Sequence, residues 1–426
     1  MLDQAQSEPM SRLRAIARDR KFSLAAFGGT PAVAAGVVTP WPAAGNTHLD
    51  ALISVITSGR YHRVNHPLVT SLEADLARWS GYWDVRAVAS GTAALHVELD
   101  YYRQRGRKVV TAALNWPGAV APIAFSKLVP EFVDVDLQRA AICESEGSQR
   151  LDSETAAVMV THLFGGNVEV PGLRSAARRR GSAIVDDVCQ SIAAIRPDGD
   201  GRPLDSDALG LSGNGAKHLG AGELGFVLTR DPALIAHVDR VSLASSSRHG
   251  ERVFSPSTLG HNYRPNVFSS AVAASRIESL DRQLRRRRCN SRRLWRDICG
   301  LPGLLPLFDT GDTRHAFLNL PMRIDRESLD LPAGPHARDV IVNLLKAEGV
   351  PVSVWLTKPV FEYLPAWQGH WAPEEFPNTQ TLLDTMFHVS EIAPPNGFDV
   401  MRAYAAAFEK VWSALPELRS ELTGRI

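Results

Sequence analysis

Cysteine is scarce in this chain: four residues in 426, at positions 143, 189, 289 and 299, with no C-x-x-C pair and no zinc-ligand spacing. That arithmetic excludes a disulfide-stapled scaffold and a structural zinc site, and the four read as free thiols in a reducing compartment. An excess of one charge is missing too, since 47 basic residues stand against 46 acidic ones for a formal net charge of +1. A strong basic balance is what draws nucleic acid or an acidic membrane surface, so neither is an expected partner. The run Arg285-Arg286-Arg287-Arg288 is local and sits at helical spacing, so it reads as a solvated helix face. No apolar run reaches the length of a membrane span, and the first residues carry no secretory pattern. The expectation is a cytoplasmic protein.

What the chain does have is length enough for a large domain and a smaller one. Residues 1–25 are polar and read as an N-terminal arm, with a helical stretch from Arg12 to Lys21. Helical spacing follows over 48–57 and 69–79. Short apolar runs then alternate with helices of about ten residues. Strands are expected at 85–88, 108–111, 131–136, 156–161, 183–187 and 226–229, and helices at 93–102, after Pro117-Gly118, and at 171–180. That alternation predicts an α/β domain over 26–265 with a mostly parallel sheet covered on both faces. Ligands gather at the carboxyl ends of such strands. From 266 onward the texture changes to a long helix ending near Leu301, strand-like pieces at 316–320 and 350–355, and helices at 337–348 and 400–415. A smaller α+β domain over 266–426 is expected.

Five polar features fall in order along the large domain. Ser90-Gly91-Thr92 is a strand-to-helix turn, usable as an anion site or as a plain N-cap. Trp116 follows a strand, where an aromatic either packs in a core or offers a stacking face. Asp187 ends an apolar strand and needs a partner or a capping role, because an unpaired buried charge is costly. Ser212 precedes Lys217 by five residues in a glycine-rich loop, which allows hydroxyl and amine to face one pocket. Gly260-His-Asn-Tyr-Arg264 reads alone as a polar turn. A P-loop is excluded, since Ala216 separates Gly215 from Lys217 and His218 replaces the Ser/Thr that would hold magnesium. Phosphate donors, a stacking aromatic, a strand-end acid and a lysine are together what pyridoxal 5′-phosphate (PLP) requires.

In order and spacing the chain resembles the DegT/DnrJ/EryC1/StrS family of PLP-dependent sugar aminotransferases. The family's S-G-T-x-A-L turn is matched by Ser90–Leu95, its E-D-x-x-Q string by Asp186–Gln190, its serine-to-lysine spacing by Ser212 and Lys217, and its G-x-N-x-R motif by Gly260–Arg264. The resemblance implies the aspartate-aminotransferase type of fold (fold type I), with a seven-stranded, mostly parallel sheet. It implies that Lys217 forms the Schiff base, that Gly91 and Thr92 hold the phosphate, and that Trp116 stacks on the ring. Asp187 would meet the pyridinium nitrogen, Gln190 would lie beside the ring hydroxyl, and Ser212 would complete the cofactor site. Asn262 would reach the phosphate of the neighbouring subunit, making a homodimer an active-site requirement. The departures are Gly213 for an aromatic, Leu224 for a glycine, Asp186 for the glutamate of the string, Val188 and Cys189 for two alanines, and no histidine around Thr357–Val360, where many sugar-nucleotide members carry one. The activity implied is transfer of an amino group from glutamine or glutamate to a keto-sugar or cyclitol ketone in aminoglycoside-like or amino-sugar biosynthesis. The alternatives are a PLP-dependent sugar dehydratase or aromatising lyase on the same scaffold and, more remotely, a PLP-sensing regulator. The dehydratase branch replaces the lysine with histidine, and here Lys217 is present.

Overall fold

The structure is a computed structural model and describes residues 23–63, 66–243, 245–248, 251–254 and 260–424. Most of the arm expected over 1–25 therefore lies outside the described residues. Seven strands form the main sheet: β1 Asp84–Val88, β2 Lys108–Ala112, β3 Val129–Val133, β4 Thr155–Thr161, β5 Ala183–Asp187, β6 Ala208–Ser212 and β7 Gly225–Thr229. Their spatial order is β1-β7-β6-β5-β4-β2-β3, and β7 alone runs antiparallel to its neighbours. Alternate residues feed opposite faces, as the period of two requires. Ala157, Met159 and Val227 pack under the helices Gly91–Tyr102, Pro117–Phe125 and Pro232–Leu243. Val158 and Val160 meet the helix Pro171–Arg180, while Phe226 and Leu228 meet Pro67–Ser80 and Val267–Ile277. Burial on both faces is why β4 and β7 read as apolar runs; β6, Ala208–Ser212, was not among the expected strands.

Beyond a hairpin of β8 Ser245–Arg248 and β9 Glu251–Phe254, a second sheet is antiparallel, in the order β10 Leu304–Pro306, β11 Leu320–Ile324, β13 Met386–Val389, β12 Val352–Ser353. It packs on the helices Leu280–Ile298, His336–Ala347 and Phe398–Ala414. Leu24, Ala26 and Val33 from the start of the described chain are buried in this same core. The Ala25 and Ala32 N–H groups donate to the Glu348 carboxylate at 2.7 and 2.9 Å, and Lys410 pairs with it at 2.8 Å.

The expected long helix over 266–301 is two helices, Val267–Ile277 and Leu280–Ile298, parted at Glu278-Ser279. Val267 and Ala271 belong to the core of the large sheet, whereas Leu294 and Ile298 belong to that of the small one. The strand expected at 316–320 begins only at Leu320. Phe317 sits at φ +44°, a left-handed conformation that no strand accommodates. Instead the Ala316 and Leu318 N–H groups bond the carbonyls of Gly165 and Phe164 at 2.7 and 2.9 Å. The strand expected over 131–136 ends at Val133, because the Asp134 carboxylate turns to take the Asn378 and Thr379 N–H groups. The arginine run is a solvated face only in part: Arg285 and Arg286 are exposed, whereas Arg287 is fully buried and Arg288 donates to the carbonyls of His315 and Arg314.

Candidate active site

At the carboxyl ends of β4 to β6 lies a cavity of about 440 Å³. The chain brings Gly91, Thr92, Trp116, Asp187, Gln190, Ser212 and Lys217 together around it. These residues arrive from four separate segments, so their meeting is a product of the fold.

Asp187 is placed there by the strand period. Asp186 and Asp187 point to opposite faces of β5, and only Asp186 meets a cation. Both oxygens of Asp186 take the Arg174 guanidinium at 2.7 and 2.8 Å, and His162 Nε2 lies 2.8 Å from Oδ1. Burial works against that charge, yet the guanidinium holds the Asp186 carboxyl below the usual range. Asp187 has no ion pair among the described residues. Its Oδ1 accepts the Cys189 N–H at 3.0 Å, and burial pushes its pKa up. An acid so placed favours a cationic N–H as its partner.

Lys217 is half-buried, and burial pulls its pKa down. The loop that carries it is fixed by its own backbone: Lys217 N–H bonds Asn214 O at 2.8 Å, and the Trp41 indole N–H bonds Lys217 O at 2.9 Å. His218 turns the other way. Its ring is fully buried against Ala316 O, so it does not share the cavity with the lysine.

Ser90 caps the helix Gly91–Tyr102, its hydroxyl accepting the Ala93 N–H at 3.1 Å. The N–H groups of Gly91 and Thr92 in the first turn have no partner within the helix. Close packing sets this turn in place. A Cβ on Gly91 would lie 2.5 Å from Cys189 Sγ, and one on Gly225 would lie 2.1 Å from the Ser90 carbonyl. The second contact is with backbone, so Gly225→Ala must displace the turn. A misplacement of about 1 Å costs roughly 10²-fold. Gly225→Ala is accordingly expected to slow the first half-reaction by about that factor, as followed by absorbance.

Trp116 is 49% exposed and stands on the cavity rim, stacked with Trp355 at 5.8 Å between ring centres. The Asn115 carboxamide, which accepts the Trp116 N–H at 2.8 Å, sets its backbone. Gln190 is held through its oxygen by the Phe164 N–H at 2.8 Å, so its NH2 is the end left to donate. The Ser212 hydroxyl accepts the Asn214 N–H at 3.2 Å at the end of β6. Asn262 is not among the groups lining the cavity. It is exposed, at φ +54°, in a loop whose Tyr263 carbonyl accepts the Ala89 N–H beside the Ser90 turn.

The sequence reading had not found the second chamber. About 250 Å³ in volume, it adjoins the first and shares Gln190, Ala216, Lys217 and Trp355 with it. Its other walls include Trp41, Arg287, His388 and Glu391. The arginine run had been noted, but its spacing does not point to a pocket.

Residues 42–393 match the profile of the DegT/DnrJ/EryC1/StrS aminotransferase family. The chain belongs to this family. Among curated relatives, it is 26% identical over 338 residues to Protein MosB of Rhizobium meliloti, covering 75% of this chain and 66% of MosB. It is 27% identical over 333 residues to a putative L-glutamine:3-amino-2,3-dideoxy-scyllo-inosose aminotransferase of Streptomyces kanamyceticus, covering 77% of this chain and 78% of that one. The crystal structure of 3-amino-5-hydroxybenzoic acid synthase superposes with a TM-score of 0.78 at 19% identity, over 89% of this chain and 99% of that one. At that identity the likeness shows the fold alone, and the fold is that of the fold type I PLP enzymes.

PLP is the cofactor of this aminotransferase, as of its family. The cavity fits the group on its own chemistry. A phosphate suits the free N–H groups at Gly91 and Thr92, a basic ring nitrogen suits an acid that lacks a cation, and an aldehyde suits a half-buried amine. Among the described residues no helix is long and apolar enough to cross a membrane.

Proposed function

We propose that this aminotransferase moves an amino group from glutamine or glutamate to a ketone on a cyclitol or sugar ring, in the cytoplasm. The observation that carries the reading is Lys217 and Asp187 facing one cavity, neither neutralised by an ion pair. The cyclitol acceptor and the glutamine donor are supported by the names of relatives.

When bound, PLP supplies an electron sink for the pair left on a substrate carbon as its proton departs. The remaining work falls to this chain. Lys217 Nζ would hold the cofactor aldehyde and, as a free amine, would take the donor's α-proton and redeliver it. Its lowered pKa leaves more of the amine neutral for that purpose. Asp187 would keep the ring nitrogen protonated. Gln190 would donate its free NH2 to the ring hydroxyl, Trp116 would cover one face of the ring, and Gly91, Thr92 and Ser212 would seat the phosphate end. A test is reconstitution with PLP followed by glutamine and a scyllo-inosose-type ketone. Loss of visible absorbance on the first addition and its return on the second is the expected result. Absorbance unmoved by any amino donor favours the aromatising lyase instead.

The reading extends to a homodimer in which Asn262 serves the neighbouring cavity. Its support is the exposed side chain of Asn262 on a left-handed turn and the exposed apolar stripe Leu49, Ile53, Ile56 along the helix Asn46–Ser58. Mixing inactive Lys217→Ala and Asn262→Ala subunits tests it. Each mixed dimer rebuilds one intact site, so recovery to about a quarter of wild-type activity is expected from random pairing under two-fold symmetry. No recovery in mixtures shown to exchange subunits counts against the crossing.

A further inference from the structure

Arg287 is the least ordinary group in the molecule. It is 1% exposed and lines the second chamber together with Lys217. Its Nη1 donates to the carbonyls of Phe317 and Leu318 at 3.2 and 3.0 Å. Nε and Nη2 have no partner. Those two N–H groups form one edge of the guanidinium, the edge that grips a carboxylate through two parallel bonds. The position of the group is fixed, because its Cζ lies 4.8 Å from the centre of the Trp41 ring and the left-handed turn at Phe317 supplies its two carbonyls.

A buried cation with an idle edge is costly unless something pairs with it. No acid of the described chain does so. Glu391 faces the same chamber, yet its carboxylate takes the Trp41 N–H at 2.8 Å, forms no ion pair with Arg287, and is pushed towards its neutral form by burial. Burial lowers the Arg287 pKa to about 9, which leaves it cationic near neutrality. The other polar walls, Asn319, Ser390 and a His388 ring kept neutral by burial, bring no negative charge. The chamber thus holds two basic groups, Lys217 and Arg287, against one acid, Glu391. Its volume of about 250 Å³ suits a small metabolite.

We infer that the free edge of Arg287 is the seat for the α-carboxylate of the amino donor. This rests on the transamination reading above. An amino acid has to bring its α-carbon to Lys217, which leaves its carboxylate one bond away inside this chamber. A polyol ketone carries no anion, so it meets the same arginine through hydroxyls alone. Arg287 therefore discriminates in favour of the first half-reaction. Asn319, Ser390 and His388 serve both substrates.

The test uses the PLP-loaded enzyme, in which Lys217 is tied up, and a probe that has no amine to react. Glutarate is expected to bind in calorimetry roughly ten- to hundredfold more tightly than glutaramide, the range for a hydrogen bond to a charged partner. Arg287→Gln removes that preference, and Arg287→Lys restores it in part. Glutamine is expected to bleach the visible band faster than glutaminol by a similar factor, and Arg287→Gln to shrink that ratio through the glutamine rate. Equal binding of glutarate and glutaramide overturns the proposal. That comparison needs only the wild-type enzyme, so it stands even if the variants do not fold. Preference for glutarate without preference for glutamine over glutaminol also overturns it, by moving the carboxylate to the acceptor. If PLP produces no visible band at all, the transamination reading fails first. A band with no carboxylate preference fails this inference alone.

Discussion

Lys217→Ala lowers transamination by at least about 10⁴-fold, the upper range for loss of a general acid–base group. Loss of the covalent anchor adds to that, because in the proposed mechanism the same amine would bind the aldehyde and move the proton. The protein itself should fold, since Lys217 makes no side-chain hydrogen bond or ion pair among the described residues, and its loop is held through Asn214 and Trp41. Stopped-flow absorbance with glutamine measures the rate, and circular dichroism checks the fold. The wild-type pH dependence gives the sign of the effect. Burial lowers the amine's pKa below its ordinary 10.5, so the neutral, basic form appears at lower pH than for a free lysine. Activity in the first half-reaction should rise with pH along a limb centred below that value. A limb centred at or above it removes Lys217 as the base.

Asp187→Asn is the second large effect. The carboxamide keeps the shape and can still accept the Cys189 N–H, but it no longer compensates a charge on the ring nitrogen. A fall in turnover of the order of 10²–10⁴-fold is expected, with cofactor still bound, because anchoring and phosphate contacts remain. The neighbouring acid provides the control. Asp186→Asn leaves Arg174 buried without its carboxylate, so its cost appears as lost stability, on the order of 3–5 kcal/mol, more than as lost chemistry. Thermal melts and single-turnover rates measured on both variants separate the two roles. Turnover unchanged in Asp187→Asn would take the electron-sink role away from that residue.

Most of the first cavity was legible from the sequence because its residues lie in short strings, each beside a strand end. Asp187 was preferred to Asp186 only by resemblance, and it is Asp187 that lines the cavity. The physical reason, opposite faces of β5 with Arg174 on one of them, needed the sheet. The second chamber was not legible. Trp41 and Lys217 are 176 residues apart, and His388 and Glu391 sit on and after β13, a short strand that apolar periodicity did not flag. Arg287 was misread for a definite reason: a run of four arginines on a helix looks solvated, yet each successive residue turns by about 100°. Arg287 points at Trp41 while Arg286 beside it reaches the exposed Phe398 ring. The strand predicted over 316–320 failed on the left-handed turn at Phe317, which supplies the carbonyls that hold Arg287.

The most direct measurement is the absorbance spectrum of the purified protein with PLP, before and after glutamine. A visible band that forms with the wild-type chain, is absent in Lys217→Ala, and collapses on adding glutamine is the predicted result. A band that forms equally well without Lys217, or none at all in the wild type, contradicts the account.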